Sequence, residues 1–359
     1  MKQTTTFVFL FPVAIFLAIF CSACSSNPPV VHAAAMESYE PIAIQAPQPE
    51  MARFIEDPSL HGYDWDELTQ LKFWREIINL PKDTSLVSLA SNRKILGKIP
   101  TNTWYRLNER QRSVFRNELR KQFQLEHGED IYVTHGRNHF YRIDKVLPSI
   151  DRAIEHFARE GVNPWYGQAI LLIESPGRLQ ASHVGAYGPF QLMASVARQY
   201  GLTVSDGRDD REHFGKSAAA AAKLIKDMCI PYTRKMLREQ EIPFNENDLF
   251  FRCLVLHCYH AGPGNVMAAL KKINNNYTGM DLIIRLWNTE SAGFKNASQN
   301  YSQVALAALL ELEDMIHLRY DMICAYGDET LLNDFYVRRY AIRQKSKASH
   351  DHLLVNTNM

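Results

Sequence analysis

The chain has 359 residues, 46% hydrophobic and 22% charged, which is ordinary for a globular protein with one large domain or two smaller ones. Its 40 basic and 39 acidic residues nearly cancel, so no excess of positive charge points to nucleic acid as a partner. Aromatic residues reach 11%, which suits a sugar-binding cleft and a well-filled core equally.

Lys2 precedes an apolar run from Phe7 to Phe20, the length of a signal-peptide core and short for a membrane span. The run ends in Cys21-Ser22-Ala23-Cys24, which resembles a bacterial lipobox except that Cys21 stands where Leu is usual. Residues 1–23 are therefore expected to be a signal peptide and Cys24 the site of lipidation. That would make the protein an outer-membrane lipoprotein facing the periplasm. Ala33-Ala34-Ala35 offers a rival A-x-A cleavage site, which would release a soluble periplasmic or secreted form. Residues 24–50, rich in Pro, Ala, Ser and Gln, read as a flexible tether.

Residues 51–145 form a polar N-terminal region with α+β signals and no catalytic constellation; its role is left open. Asn108 is placed to cap a helix running to His127, with Phe115, Leu119 and Phe123 on one face and Gly128 as its stop. Ile131–Thr134 and His139–Ile143, separated by a polar turn, read as a hairpin.

From 146 to 322 the pattern is helical almost throughout. Ile150, Ile154, Phe157 and Ala158 share one face, and Gly161 closes that helix. Asn163-Pro164 starts the next, Ser217–Met228 is an Ala-rich helix ended before Pro231, and Asn247 caps a helix through Tyr259. Ala261-Gly262-Pro263-Gly264 breaks the chain before Val266–Ile273, and a last long helix runs from about Ser298 to Met322. Residues 323–359 form a basic tail, read as solvated. Cys229, Cys253, Cys258 and Cys324 allow three disulfide pairings or none, and the sequence does not choose among them.

The chemistry centres on Glu174. Ile170-Leu171-Leu172-Ile173 lead into it, and Pro176-Gly177 end the helix just beyond. A carboxyl in the last turn of a buried helix is disfavoured as an anion both by desolvation and by the negative end of the helix dipole. Its pKa is therefore expected to rise. An acid still protonated near neutral pH is what a glycosidic oxygen requires, because an alkoxide leaves poorly.

Three blocks follow in order: Glu174-Ser175; Ser182-His183-Val184-Gly185-Ala186-Tyr187-Gly188-Pro189-Phe190-Gln191-Leu192-Met193; and Cys258-Tyr259-His260-Ala261-Gly262. A weaker fourth is Asn300-Tyr301, and Asp209-Asp210-Arg211 precedes the Ala-rich helix. On these blocks, residues 150–305 resemble the catalytic domain of the soluble lytic transglycosylase family, closest to the membrane-bound D type. The chain departs from the family pattern in a shorter loop after Ser175, in Pro189-Phe190, in His260 where the family has Asn, and in Ala297 where it has Glu.

The resemblance implies a mostly α, goose-type-lysozyme-like fold that cleaves the MurNAc-GlcNAc β-1,4 bond of peptidoglycan and leaves 1,6-anhydro ends. It implies Glu174 as the single catalytic acid and base, and Ser175, Ser182, Gln191, Tyr259, His260 and Tyr301 as substrate-binding residues. Met193 is expected in the core, and His260 as an imidazole able to change charge with pH. The implied partners are glycan strands and, through Cys24, a membrane. No cofactor is implied. Zinc is not expected at Cys253, His257, Cys258 and His260, since one helix does not converge four such positions on a tetrahedral centre. The rival readings are a lysozyme-like hydrolase, which would use a second carboxylate among Asp206, Asp209, Asp210 and Glu212, and a glycan-binding scaffold without turnover.

Overall fold

A computed structural model describes residues 41–45, 51–62, 64–126, 128–174, 181–182, 184–274 and 276–326. The expected signal peptide, Cys24, Ser175, Pro176-Gly177 and the end of the basic tail lie outside the described residues. The architecture is the mostly α one expected, with a small antiparallel sheet region near the N-terminus.

The chain opens on an antiparallel pair, β1 (Pro41–Gln45) and β2 (Met51–Ile55), followed by α1 (Ser59–Gly62) and α2 (Thr69–Asn79). Strands β3 (Thr84–Leu89), β4 (Ile95–Pro100) and β5 (Ile131–His135) form an antiparallel sheet in the order β4-β3-β5. Between β4 and β5 lie α3 (Thr101–Arg106) and α4 (Glu109–Gln122). The Asn108 side chain accepts from the Gln111 N–H while Gln111 returns the bond, a capping box that starts α4 where the sequence places it. Val87, Leu96, Ile99, Trp104, Phe115 and Leu119 are the centre of a separate small core under this sheet.

The expected hairpin does not form. Ile131–His135 pairs with Thr84–Leu89 instead, with Val133 opposite Val87, and Ile143 already begins a helix. An apolar-turn-apolar signal reports that a strand wants a partner, but its local neighbour is not the only one available.

The helical part comprises α5 (Ile143–Arg159), α6 (Trp165–Glu174), α7 (Ala194–Gln199), α8 (Phe214–Leu224), α9 (Ile230–Glu239), α10 (Leu249–Ala261), α11 (Pro263–Leu270), α12 (Gly279–Trp287) and α13 (Ala297–Tyr326). The Ala-rich helix does not stop before Pro231. One π-helical turn, Ile225–Cys229, joins α8 to α9, with the Ile230 N–H reaching back to the Ile225 carbonyl. That wider turn accommodates a ring that would otherwise collide with the carbonyl four residues earlier.

α6 is the central element. Trp165 through Ile173 are all buried, and β2, α5, α8, α10 and α13 pack around them. Its start is capped by Asn163, whose Oδ1 accepts from the Trp165 N–H at 3.0 Å. Gly167 allows the close approach of α5: a Cβ there would sit 2.9 Å from the Phe157 ring. Gln168, fully buried, accepts from the Ile55 N–H at 2.8 Å and donates to the Ile55 carbonyl at 2.7 Å, satisfying the edge of β2. Residues 54–80 thereby enter the same core as the helices.

Candidate active site

Glu174 is the last residue of α6, and its residue surface is only partly open to solvent. Desolvation pushes its pKa from 4.5 to about 7, and interaction with the Tyr301 hydroxyl pulls the other way. Among the described residues, no carboxylate contributes to the shift. The group is therefore protonated in a large share of molecules at neutral pH, without a charged neighbour among the described residues forcing it.

Three tyrosines surround this carboxyl electrostatically. Tyr301, on α13, has a buried hydroxyl with no complete hydrogen bond among the described residues, although Glu174 lies near enough for each to shift the other's pKa. Both desolvation and the nearby Glu174 charge hold its phenol well above the ordinary range. Tyr259 donates to the Phe190 carbonyl at 2.6 Å, and its phenol is raised by desolvation and then by Glu174. Tyr141, just before α5, is raised by desolvation, with a smaller contribution from the same carboxyl. Sequence reasoning missed Tyr141, because it lies 33 positions from Glu174 within what read as a strand.

His260 stacks on Tyr301, with ring centroids 4.4 Å apart and planes 29° apart. One side of the residue is exposed, but desolvation on the other lowers its pKa. Desolvation on the packed side favours the neutral imidazole. Its open side makes the drop smaller than for a sealed ring.

The second block folds into a tight turn system facing these residues. Ser182 Oγ accepts from the Ala186 N–H at 2.9 Å, and the two backbones also pair. Tyr187 and Leu192 bridge, and Gln191 sits in the left-handed region at φ 46°, with its Nε2 donating to the Gly188 carbonyl at 3.0 Å. Arg211 fastens the turn: one Nη donates to the Gly185 and Leu192 carbonyls at 2.8 and 2.9 Å, while Asp209 grips the rest of the guanidinium. Phe190 fills the space between Phe157 and Phe214, so the departure at this position serves the core. Met193, expected inside, is 41% exposed; it precedes α7, and neighbouring Leu192 takes the buried place.

Gly188 has φ +84° and lies against Arg211, where an added Cβ would stand 2.0 Å from a backbone oxygen. Gly188→Ala is expected to cost roughly 2–4 kcal/mol, from left-handed strain plus a backbone clash. Urea denaturation measures this, and activity should fall with it because the turn carries Ser182 and Gln191.

Two of the candidate second carboxylates have other work. Asp209 is held by Arg211, and Asp210 by Lys216 at 2.8 Å, Arg208, and the Thr203 N–H at 3.0 Å. These partners hold both carboxyls below the ordinary range. Glu212 is exposed and accepts from the Tyr187 hydroxyl at 3.4 Å. The cysteines and His257 of α10 are also engaged separately. His257 Nε2 meets Ser302 Oγ at 2.8 Å, Cys258 meets Thr233 at 3.5 Å, and Cys229, Cys253 and Cys258 are buried free thiols.

The structure thus brings Glu174, Tyr259, His260 and Tyr301 together, with Ser182 and Gln191 on the adjoining turn. Comparison with curated proteins finds no match. Residues 152–281, which hold every described member of this site except Tyr141 and Tyr301, match the family model described as Transglycosylase SLT domain, whose members are lytic transglycosylases acting on peptidoglycan.

Proposed function

We propose that the protein is an exported lytic transglycosylase that cleaves the MurNAc-GlcNAc β-1,4 bond and leaves 1,6-anhydro-MurNAc ends, with Glu174 as its only acid and base. The observation that carries this is a carboxyl whose pKa desolvation raises to about 7, with no second carboxylate among the described residues acting on it.

In this reading Glu174 first gives its proton to the bridging oxygen, and the C–O bond breaks as positive charge develops at the anomeric carbon. The substrate's own acetamido group shares that charge. Glu174, now ionised and destabilised by its surroundings, takes the proton from the 6-hydroxyl of the same sugar as that oxygen closes on the anomeric carbon. Proton and electrons balance without water, so one carboxyl suffices. An inverting hydrolase would need a second one about 6.5–9.5 Å away to activate water.

Tyr259 and Tyr301 would keep the carboxyl oriented, neutral His260 would offer one ring nitrogen to the glycan, and Ser175, Ser182 and Gln191 would hold the sugars beside the scissile bond. Residues 1–23 as a signal peptide and Cys24 as a lipid anchor would hold the enzyme at the outer membrane, facing the wall, beyond a tether over 24–50. Residues 51–145 and 146–322 would serve as N-terminal region and catalytic domain, and 323–359 as a basic tail. Among the described residues, no helix is long and apolar enough to cross a membrane.

The test is mass spectrometry of murein digested by the purified protein. Products lighter by one water than their reducing-end counterparts are expected. Reducing ends throughout would make it a hydrolase, and binding without turnover would make it a scaffold.

A further inference from the structure

Resting on the reading that Glu174 cleaves peptidoglycan, we infer that Arg93, on the β3–β4 turn, is a recognition site for a carboxylate of the stem peptide. Arg93 reaches from the N-terminal sheet to the first turn of α13, where its Nη2 donates to Asn300 Oδ1 at 3.2 Å. Asn300 is the residue before Tyr301, which faces Glu174. A stem peptide attached to a sugar bound at Glu174 would extend from it by about 3.3–3.6 Å per residue.

The guanidinium lies over two rings, with its central carbon 5.3 Å from the centroid of Phe73 and 5.4 Å from that of Tyr132. A guanidinium carries its N–H donors in a planar fork that matches a carboxylate in two parallel bonds. The bond to Asn300 uses one of its donors, and no carboxylate among the described residues pairs with it. Desolvation lowers its pKa, with Tyr132 acting against it, so a ligand carboxylate beside it would be favourable. Tyr132 beside it is 47% exposed, so the patch is reachable. Arg93 also holds φ +62° at the end of the turn, where Gly or Asn would be more comfortable. The turn gives up that ease to present a guanidinium.

The test measures binding in the Glu174→Gln background, where strands are not consumed. The ligands are a soluble glycan oligomer bearing its stem peptides and the same oligomer stripped by an amidase. The peptide-bearing ligand should bind about tenfold tighter, with the advantage shrinking as salt rises. Arg93→Gln should remove that advantage and leave the stripped glycan unaffected, while Arg93→Lys keeps part of it. Equal weakening of both ligands by Arg93→Gln would mean that Arg93 only clamps the sheet to α13, and overturns the inference. So would a lack of preference in the parent, or a preference indifferent to salt. The catalytic reading stands or falls separately, on whether the unmutated protein makes anhydro products.

Discussion

Glu174→Gln is expected to suppress release of the proposed anhydro products while making the folded protein more stable at alkaline pH. Gln keeps the shape and loses the proton that the bridging oxygen needs, so turnover should drop by ~10³-fold or more, against the 10²–10⁴-fold typical of general acids. The stability effect has the opposite sign, and that pairing makes it diagnostic. Glu174 is raised from 4.5 to about 7 in the folded state, so folding binds its proton more tightly than the unfolded chain does. Its contribution is fully present below pH 4.5 and is lost as pH rises through 7. Above pH 7 the parent carries a desolvated carboxylate, a cost of roughly 3–4 kcal/mol for a rise from 4.5 to about 7 at about 1.4 kcal/mol per pKa unit. Melting curves should therefore coincide for parent and Glu174→Gln near pH 4, and the variant should melt higher at pH 8. The pH profile of the parent's turnover should fall on the alkaline side of about 7. A variant no more stable than the parent at pH 8 would mean that solvent reaches this carboxyl freely, and the proposed acid would lose its physical basis.

Asp57→Ala should unfold the protein more readily by about 3–5 kcal/mol, although Asp57 is far from Glu174 in sequence and touches no substrate in the proposed reaction. Asp57 and Arg252 are each 1% exposed and are joined by Arg252 Nη1 to Asp57 Oδ2 at 2.6 Å and Nη2 to Oδ1 at 3.3 Å. Arg252 also donates to Ser59 at 2.9 Å, and its guanidinium lies 4.6 Å from the ring centroid of Trp165, the first residue of α6. Removing the carboxylate leaves a sealed guanidinium uncompensated directly behind the helix that carries Glu174. Urea denaturation should show the full loss. Asp57→Ala combined with Arg252→Met should recover much of it, because two well-packed apolar groups cost less than one unpaired charge. A loss under 1 kcal/mol in the single variant would mean that water reaches the pair.

What the residues alone determined was local. Asn108 with Gln111 and Asn163 with Pro164 start their helices where their side chains can meet free N–H groups. The apolar run Ala169–Ile173 made it legible that Glu174 would sit in a water-poor place, because any helix with no polar face is covered by something. Order and spacing of the blocks around Gly188 and Tyr259 carried the family resemblance. Other features depended on partners far along the chain. Whether Ile131–His135 pairs with a neighbour or with Thr84–Leu89 is settled by which edge the fold leaves open. Pro231 reads as a stop, and only packing shows that one π turn lets the helix continue. Leu192 and Met193 are both apolar neighbours, yet the turn direction buries one and exposes the other.

The nearness of Tyr301 to Glu174 and the arrival of Arg93 beside Asn300 join positions more than a hundred residues apart, and the stacking of His260 on Tyr301 joins two separate helices. Backbone angles and caps answer to adjacent residues, so sequence encodes them directly. Desolvation and the meeting of charges answer to whatever is packed within a few ångströms, and that is decided only when the whole chain has closed.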